Sequence, residues 1–200
     1  MKLLKFSMLL VLGVCLLFFS CTTTRSPKQA GASSDLKVSP VIAEAGVKSA
    51  SQLVVFFMSR NPQGNREQVT RLAHYYVAEA AAEGINSDVA FVQMCLETGF
   101  LRFGGLVTPE MNNFCGLGAI DETKRGEWFP TEQIGVRAHI QHLHAYGTTG
   151  KLKGELVDNR YKYVNPRGKS PDVFGLAGTW AADKAYGQKL WTLLTILDKF

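Results

Sequence analysis

The chain has 200 residues, of which 46% are apolar, and a formal charge of +5. That length suits one medium domain burying roughly two-thirds of its unfolded surface, so no second domain is required. No Lys/Arg run and no interleaving of basic with aromatic residues argues for nucleic acid, and the mild positive charge fits solvated surface or loose attraction to an anionic wall or membrane.

Lys2 and Lys5 precede an apolar run from Phe6 to Phe19, the layout of a secretory signal, shorter than the about 20 residues of a membrane span. Ser20-Cys21-Thr22 follows and resembles the bacterial lipobox, in which the cysteine is lipidated and becomes the mature N-terminus. Phe18 and Phe19 depart from its usual Leu and small residue. Residues 1–20 are therefore expected to be a signal peptide, Cys21 a lipid anchor, and the domain a cell-envelope one outside the cytoplasm. Loss of Lys2 and Lys5 lowers the formal charge from +5 to +3. Residues 21–45, rich in Thr, Ser, Lys, Gly and Ala, read as a flexible tether, and residues 46–200 as the domain.

Within the domain, Ser51 to Met58 is a short apolar helix or strand ended by Asn61-Pro62; periodicity does not separate the two at this length. Asn65 with Gln68 has the spacing of a capping box, and Val69, Leu72, Ala73, Tyr76, Val77 and Ala80 recur at helical intervals before Gly84. Ser87 is read as the cap of a nearly enclosed helix from Asp88 to Glu97, with a stripe of Val89, Val92, Cys95 and Leu96. Residues 99–130 are glycine-rich, with short strands expected near 117–120 and 127–129 in a hairpin. Thr131 caps a further helix to about Tyr146, and Asp183 is read as opening a last one carrying Tyr186, Leu190, Leu193, Leu194 and Leu197. The expected class is α+β and predominantly helical, with a small β-hairpin lobe.

Glu97 is the residue most suggestive of chemistry. It ends an apolar helix beside Leu96, Phe100 and Phe103, where desolvation disfavours a charged carboxyl and lets it keep a proton near neutral pH. The plainer alternative is a helix-end glutamate turned to solvent. His139, His142 and His144 lack a convincing ligand pattern, so no metal or other cofactor is expected and packing or surface roles account for them. Cys95 and Cys115 are the two cysteines of the folded domain. Were they bonded, the loop of about 20 residues they close would contribute roughly 3 kcal/mol, although both positions also suit a small apolar residue.

Several segments together resemble the bacterial glucosaminidases of glycoside hydrolase family 73, whose fold is lysozyme-like. They are the Glu97 helix end, Asn112-Asn113-Phe114-Cys115-Gly116-Leu117-Gly118-Ala119, Phe129-Pro130-Thr131 with Gly135 to Leu143, and Trp180-Ala181-Ala182-Asp183 with Tyr186-Gly187. The resemblance covers roughly residues 65–197. It implies an endo-β-N-acetylglucosaminidase acting on the glycan strands of peptidoglycan, with Glu97 as the general acid. A second group is needed across the sugar ring. Glu122 is the favoured carboxylate, with Asp121 and Glu127 as alternatives in the same expected hairpin. Tyr163 and Tyr186 are carried as further site candidates because a tyrosine is sometimes invoked in the family.

Phe100, Phe114, Trp128 and Trp180 are candidate sugar-stacking walls, with Phe114 and Trp180 singled out by their motifs. Asn112 and Asn113 have the chemistry to bind an acetamido group or to brace their own turn. A lytic transglycosylase and a non-catalytic wall-binding lipoprotein are the competing functions. A monomer is expected, held at the membrane by its lipid.

Overall fold

A computed structural model describes residues 37–200. The expected signal peptide, the lipid site at Cys21 and most of the expected tether lie outside the described residues. No helix among the described residues is long and apolar enough to cross a membrane.

Five α-helices carry the domain: α1 Ala50–Arg60, α2 Arg66–Glu83, α3 Ser87–Glu97, α4 Glu132–Gly147 and α5 Tyr186–Leu197, with 3-10 turns at Pro109–Met111, Tyr161–Tyr163 and Val173–Leu176. The ambiguous apolar segment near residue 51 is helical, because Ser49 and Gln52 close a reciprocal capping box that satisfies two otherwise unpaired amides. Asn65 caps α2 and Gly84 ends it in a left-handed conformation, as its sequence predicts. The cap of α3 is one residue earlier than expected. Asn86 accepts from the amides of Asp88 and Val89, and Ser87 is already helical. Asp183 does not open α5; its carboxylate takes the amide of Ala185 and the ammonium of Lys189, and the helix begins at Tyr186.

Helix α3 is the axis of the core. Every residue from Ser87 to Cys95 is buried, with α2 and α5 packed extensively against it, and α1 and α4 joining along its length. Phe57, Phe91 and Tyr76 form edge-on aromatic pairs in this layer, a geometry that sets the positive ring edge against the negative face. Helices α2 and α4 also pack most extensively against each other. At its start, Gly135 sits so near the backbone of Asn112 that a Cβ would lie 1.8 Å from the carbonyl oxygen.

Two expectations about organisation are corrected. The small hairpin lobe forms no regular strands: residues 117–127 hold an isolated Asp121–Lys124 bridge, bonds from the Ile120 and Asp121 amides to the Lys124 carbonyl, and one from the Glu127 amide to the Leu117 carbonyl. The Asp121 side chain closes the turn on Thr123 and Lys124, and Asn113 takes backbone groups a second strand would use. The last residues assigned to the tether, from Lys37 onward, belong to the packed body. Val38 and Ile42 are in the core, Ile42 donates to the Pro171 carbonyl, and buried Asp88 accepts the amides of Val47 and Lys48. Burial raises the Asp88 pKa against the lowering effect of those amides.

Candidate active site

Glu97 ends α3, and the chain leaves it through an unusual turn. Gly99, Phe100, Leu101 and Phe103 all have positive φ between 54° and 59°, a region that bulky side chains rarely adopt and that concentrates at functional sites. Thr98 holds the turn: its hydroxyl accepts the Leu101 amide at 2.9 Å and its carbonyl the Phe103 amide at 2.8 Å. The turn forms one wall of a cleft of about 220 Å³, with Gly105, Leu106 and Val107 beyond it and Asn113, Gly116 and Ala119 opposite.

Two donors converge on one oxygen of Glu97. The Trp180 indole Nε1 donates to Oε1 at 3.1 Å, and the Tyr186 hydroxyl donates to the same atom. Among the described residues Oε2 accepts none, and it lies about 4.0 Å from where a side chain on Gly116 would begin. A proton on Oε1 would face two donors already pointing at that atom. The protonated acid therefore carries its hydrogen on Oε2, on the Gly116 side of the cleft.

By surface area Glu97 is exposed, yet protein crowds its carboxylate closely. The crowding governs its proton affinity, because displaced solvent matters beyond the atoms in direct contact. Burial raises its pKa from the usual carboxylate range, and the bonds from Tyr186 and Trp180 oppose that rise. Burial also pushes the Tyr186 hydroxyl well up, reinforced by the Glu97 charge, so the phenol stays neutral and remains a donor.

Behind Tyr186 runs a buried chain that sequence reasoning missed. The Gln93 amide Nε2 donates to the Tyr186 hydroxyl at 2.8 Å, Gln93 Oε1 meets His139 Nε2 at 3.0 Å, and His139 Nδ1 meets the Tyr76 hydroxyl at 2.9 Å. Burial, with the nearby His142, lowers the His139 pKa to about 3, which keeps the ring neutral. The donors then run in one direction, from Tyr76 through His139, Gln93 and Tyr186 to Glu97. Gln93, the lone polar side chain among the buried residues between Val89 and Cys95, was the available signal.

The other predicted residues divide. Trp180 meets the cleft through its bond to Glu97, caged by the rings of His139, His142 and Tyr146 at 5.8, 5.1 and 5.2 Å. Asn113 lines the cleft but is not free for substrate: its amide donates to the Leu117 and Glu127 carbonyls and accepts the Leu117 amide, so it braces the turn. Asn112 likewise spends its side-chain amide on the Phe129 carbonyl. Phe114 is 1% exposed and belongs to the core, which removes it as a sugar wall. Tyr163 is exposed beneath Arg160 and Lys162, outside both the cleft and its walls.

Glu122 stands at an exposed turn tip, and Asp121 is consumed by that turn. Among the three candidate second carboxylates only Glu127 is half-buried, lying against Gly118 in the segment that walls the cleft. Cys95 and Cys115 are both free, so of the two readings left open by the sequence the small buried residue holds, not the disulfide. Burial holds both thiols well above their ordinary pKa, in the protonated, unreactive form. Each α4 histidine has a neighbour: His139 the chain above, His142 the carboxylate of Asp158, and His144 the hydroxyl of Tyr161.

A family profile described as mannosyl-glycoprotein endo-beta-N-acetylglucosaminidase matches residues 73–199, well over half of the chain and all of the cleft. The chain belongs to the glucosaminidase family. The helical architecture is accordingly the lysozyme-like one of these glycoside hydrolases, with Glu97 at the helix end the resemblance assigns to the acid. An uncharacterized protein of Borreliella burgdorferi is 38% identical over 164 residues, 82% of this chain and 80% of the relative. No solved structure matches the glucosaminidase chain.

Proposed function

We propose that the protein is an endo-β-N-acetylglucosaminidase of the cell envelope that hydrolyses peptidoglycan glycan strands, with Glu97 as general acid. The observation that carries this reading is the pairing of Trp180 and Tyr186 on Oε1, which leaves Oε2 to deliver a proton into the cleft. Protonation of the glycosidic oxygen after N-acetylglucosamine lets the bond break through an oxocarbenium-like state. As charge builds on Glu97, the two donors at Oε1 stabilise the carboxylate left behind, an electrostatic aid already in place before reaction. Glu127, rather than Glu122, is the carboxylate we assign to the opposite face. Its half-buried position beside Gly118 suits a base or charge stabiliser better than an exposed turn tip does. The signal-like residues 1–20 and Cys21 support export and lipid anchoring, which would bring the domain to its polymer.

The test is mass spectrometry of fragments released from purified sacculi. Hydrolysis leaves N-acetylglucosamine at the new reducing end with one water added. An anhydro product without that water would identify a transglycosylase, and sedimentation with sacculi without release by the wild-type protein would identify a binding protein. Glu97→Gln is expected to abolish release. Unchanged digestion by that variant would remove Glu97 from the mechanism.

A further inference from the structure

Beyond the Trp180 indole lies a second cavity of about 210 Å³, walled by the Cys115–Ile120 turn, His142, Tyr146, Arg160 and Trp180. Gly116 and Ala119 line both this cavity and the Glu97 cleft, so the two adjoin along one turn. Their chemistry differs. The cleft is mainly apolar, whereas the second cavity is mainly polar.

The polar cavity is built by buried hydrogen bonds. Gln141 of α4 accepts the amides of Val157 and Asp158 and donates to the Glu155 carbonyl, fixing the loop against the helix. Asp158, only 1% exposed, then does two things. Its Oδ2 holds His142 Nδ1 at 2.7 Å and its Oδ1 accepts the Arg160 amide at 2.8 Å. With Nδ1 committed, His142 has Nε2 as its remaining polar atom, and the Trp180 and Tyr146 rings fix the imidazole plane.

Arg160 forms a loose ion pair with Glu127 and, among the described residues, keeps its guanidinium N–H donors without a hydrogen bond. The nearest carboxylate oxygen, Glu127 Oε1, is 3.9 Å away, beyond hydrogen-bond length. The side chain is about one-third exposed, resting over the Tyr163 ring at 5.3 Å. Lys169 adds a second cation, its Nζ 4.8 Å from the centre of the Tyr146 ring. The one buried acid at this place, Asp158, is already engaged with His142 and the loop backbone. A planar fork of N–H donors with no hydrogen-bonded acceptor, only loosely paired with Glu127 and beside a committed imidazole, matches a carboxylate.

We infer that this cavity is a subsite for a carboxylate borne by the glycan strand, with Arg160 as its specificity-determining residue and His142, held by Asp158, beside it. The inference rests on the reading of the Glu97 cleft as a peptidoglycan-cleaving site. The carboxylate has two sources of the same chemistry: the lactyl group of a muramyl sugar without a peptide, or an acidic group on a peptide stem.

The experiment compares Arg160→Gln with the native residue, both in full-length protein carrying Glu97→Gln so that ligands survive. The probes are stem-free glycan strands, stem-bearing strands and neutral N-acetylglucosamine oligomers, titrated at low and at high salt. Arg160→Gln is expected to weaken binding of carboxylate-bearing strands by about tenfold to a hundredfold, and to leave the neutral oligomers within about twofold. A loss on stem-free strands assigns the lactyl carboxylate; a loss confined to stem-bearing strands assigns the stem. Equal loss on neutral and charged probes, or no loss on either, overturns the inference. Because binding is the readout, absence of hydrolysis by the wild-type protein would defeat the functional reading without deciding the subsite.

Discussion

Replacing Tyr186 with Phe removes one oxygen at the point where the buried chain meets the acid. Glu97 keeps its crowded surroundings but loses one of its two donors at Oε1, while the Gln93 amide loses its acceptor. A hydrogen bond to a charged group contributes about 1.5–3 kcal/mol, and the exposure of Glu97 to solvent argues for the lower end. At about 1.36 kcal/mol per pKa unit, the Glu97 pKa should rise by about 1 unit. A general acid works while protonated, so activity falls as pH climbs through its pKa. Raising that pKa extends activity to higher pH. The alkaline limb of the pH–rate profile for a soluble N-acetylglucosamine oligomer should therefore move up by about 1 unit, while the maximal rate drops because one of the two donors that stabilise the carboxylate left behind is gone. An alkaline limb that stays in place or moves down would refute the claim that the phenol lowers the acid's pKa.

Asn113→Ala should cost about 1–3 kcal/mol in thermal or denaturant unfolding, because the Leu117 and Glu127 carbonyls lose a buried donor. Glu79→Gln should cost about 1–3 kcal/mol near neutral pH by leaving half-buried Arg137 without its 2.8 Å partner. Burial alone would raise the Glu79 pKa, but the bonds from Arg137 and Gln133 outweigh it and the net direction is down. Its contribution is accordingly present above the ordinary glutamate pKa and disappears as pH falls through the depressed folded value. Denaturant titrations across that acidic range should show the wild-type advantage over Glu79→Gln shrinking. Alkylation after denaturation without reductant should label both Cys95 and Cys115, and reductant should leave the melting temperature unchanged; one unlabelled pair would contradict the free-thiol assignment.

Local physics made much of the fold legible. Asn65 and Gly84 bracket α2 because both a cap and a stop are encoded within a few residues, and Thr131 starts α4 for the same reason. The start of α3 was displaced because Asn86 and Ser87 are both competent caps, and only their hydrogen bonds distinguish them. The hairpin failed where Asp121 and Asn113 satisfy turn backbone that the strand pattern had reserved for a partner. In the site, Glu97 was legible from its apolar neighbours, and Tyr186 and Trp180 from their motif. Phe114 and Asn113 share that level of motif support but turn inward. Direction of this kind, like the distance between carboxylates, is set by tertiary packing. Gln93 and Arg160 carry no local signal because each meets its partners far away in the chain: Tyr186 and His139 for one, Glu127 for the other.

The left-handed turn after Glu97 limits how this protein can be improved. Phe100, Leu101 and Phe103 occupy backbone that glycine adopts with less strain, so glycine there would relieve the turn only by giving up the packing each side chain makes against the core. Phe103 is also part of the cleft wall, and Phe100 packs between Phe56 and Phe57 beneath it. At Phe103 the same exchange of strain against packing also reshapes the cleft, so a change made for endurance is at once a change to the site.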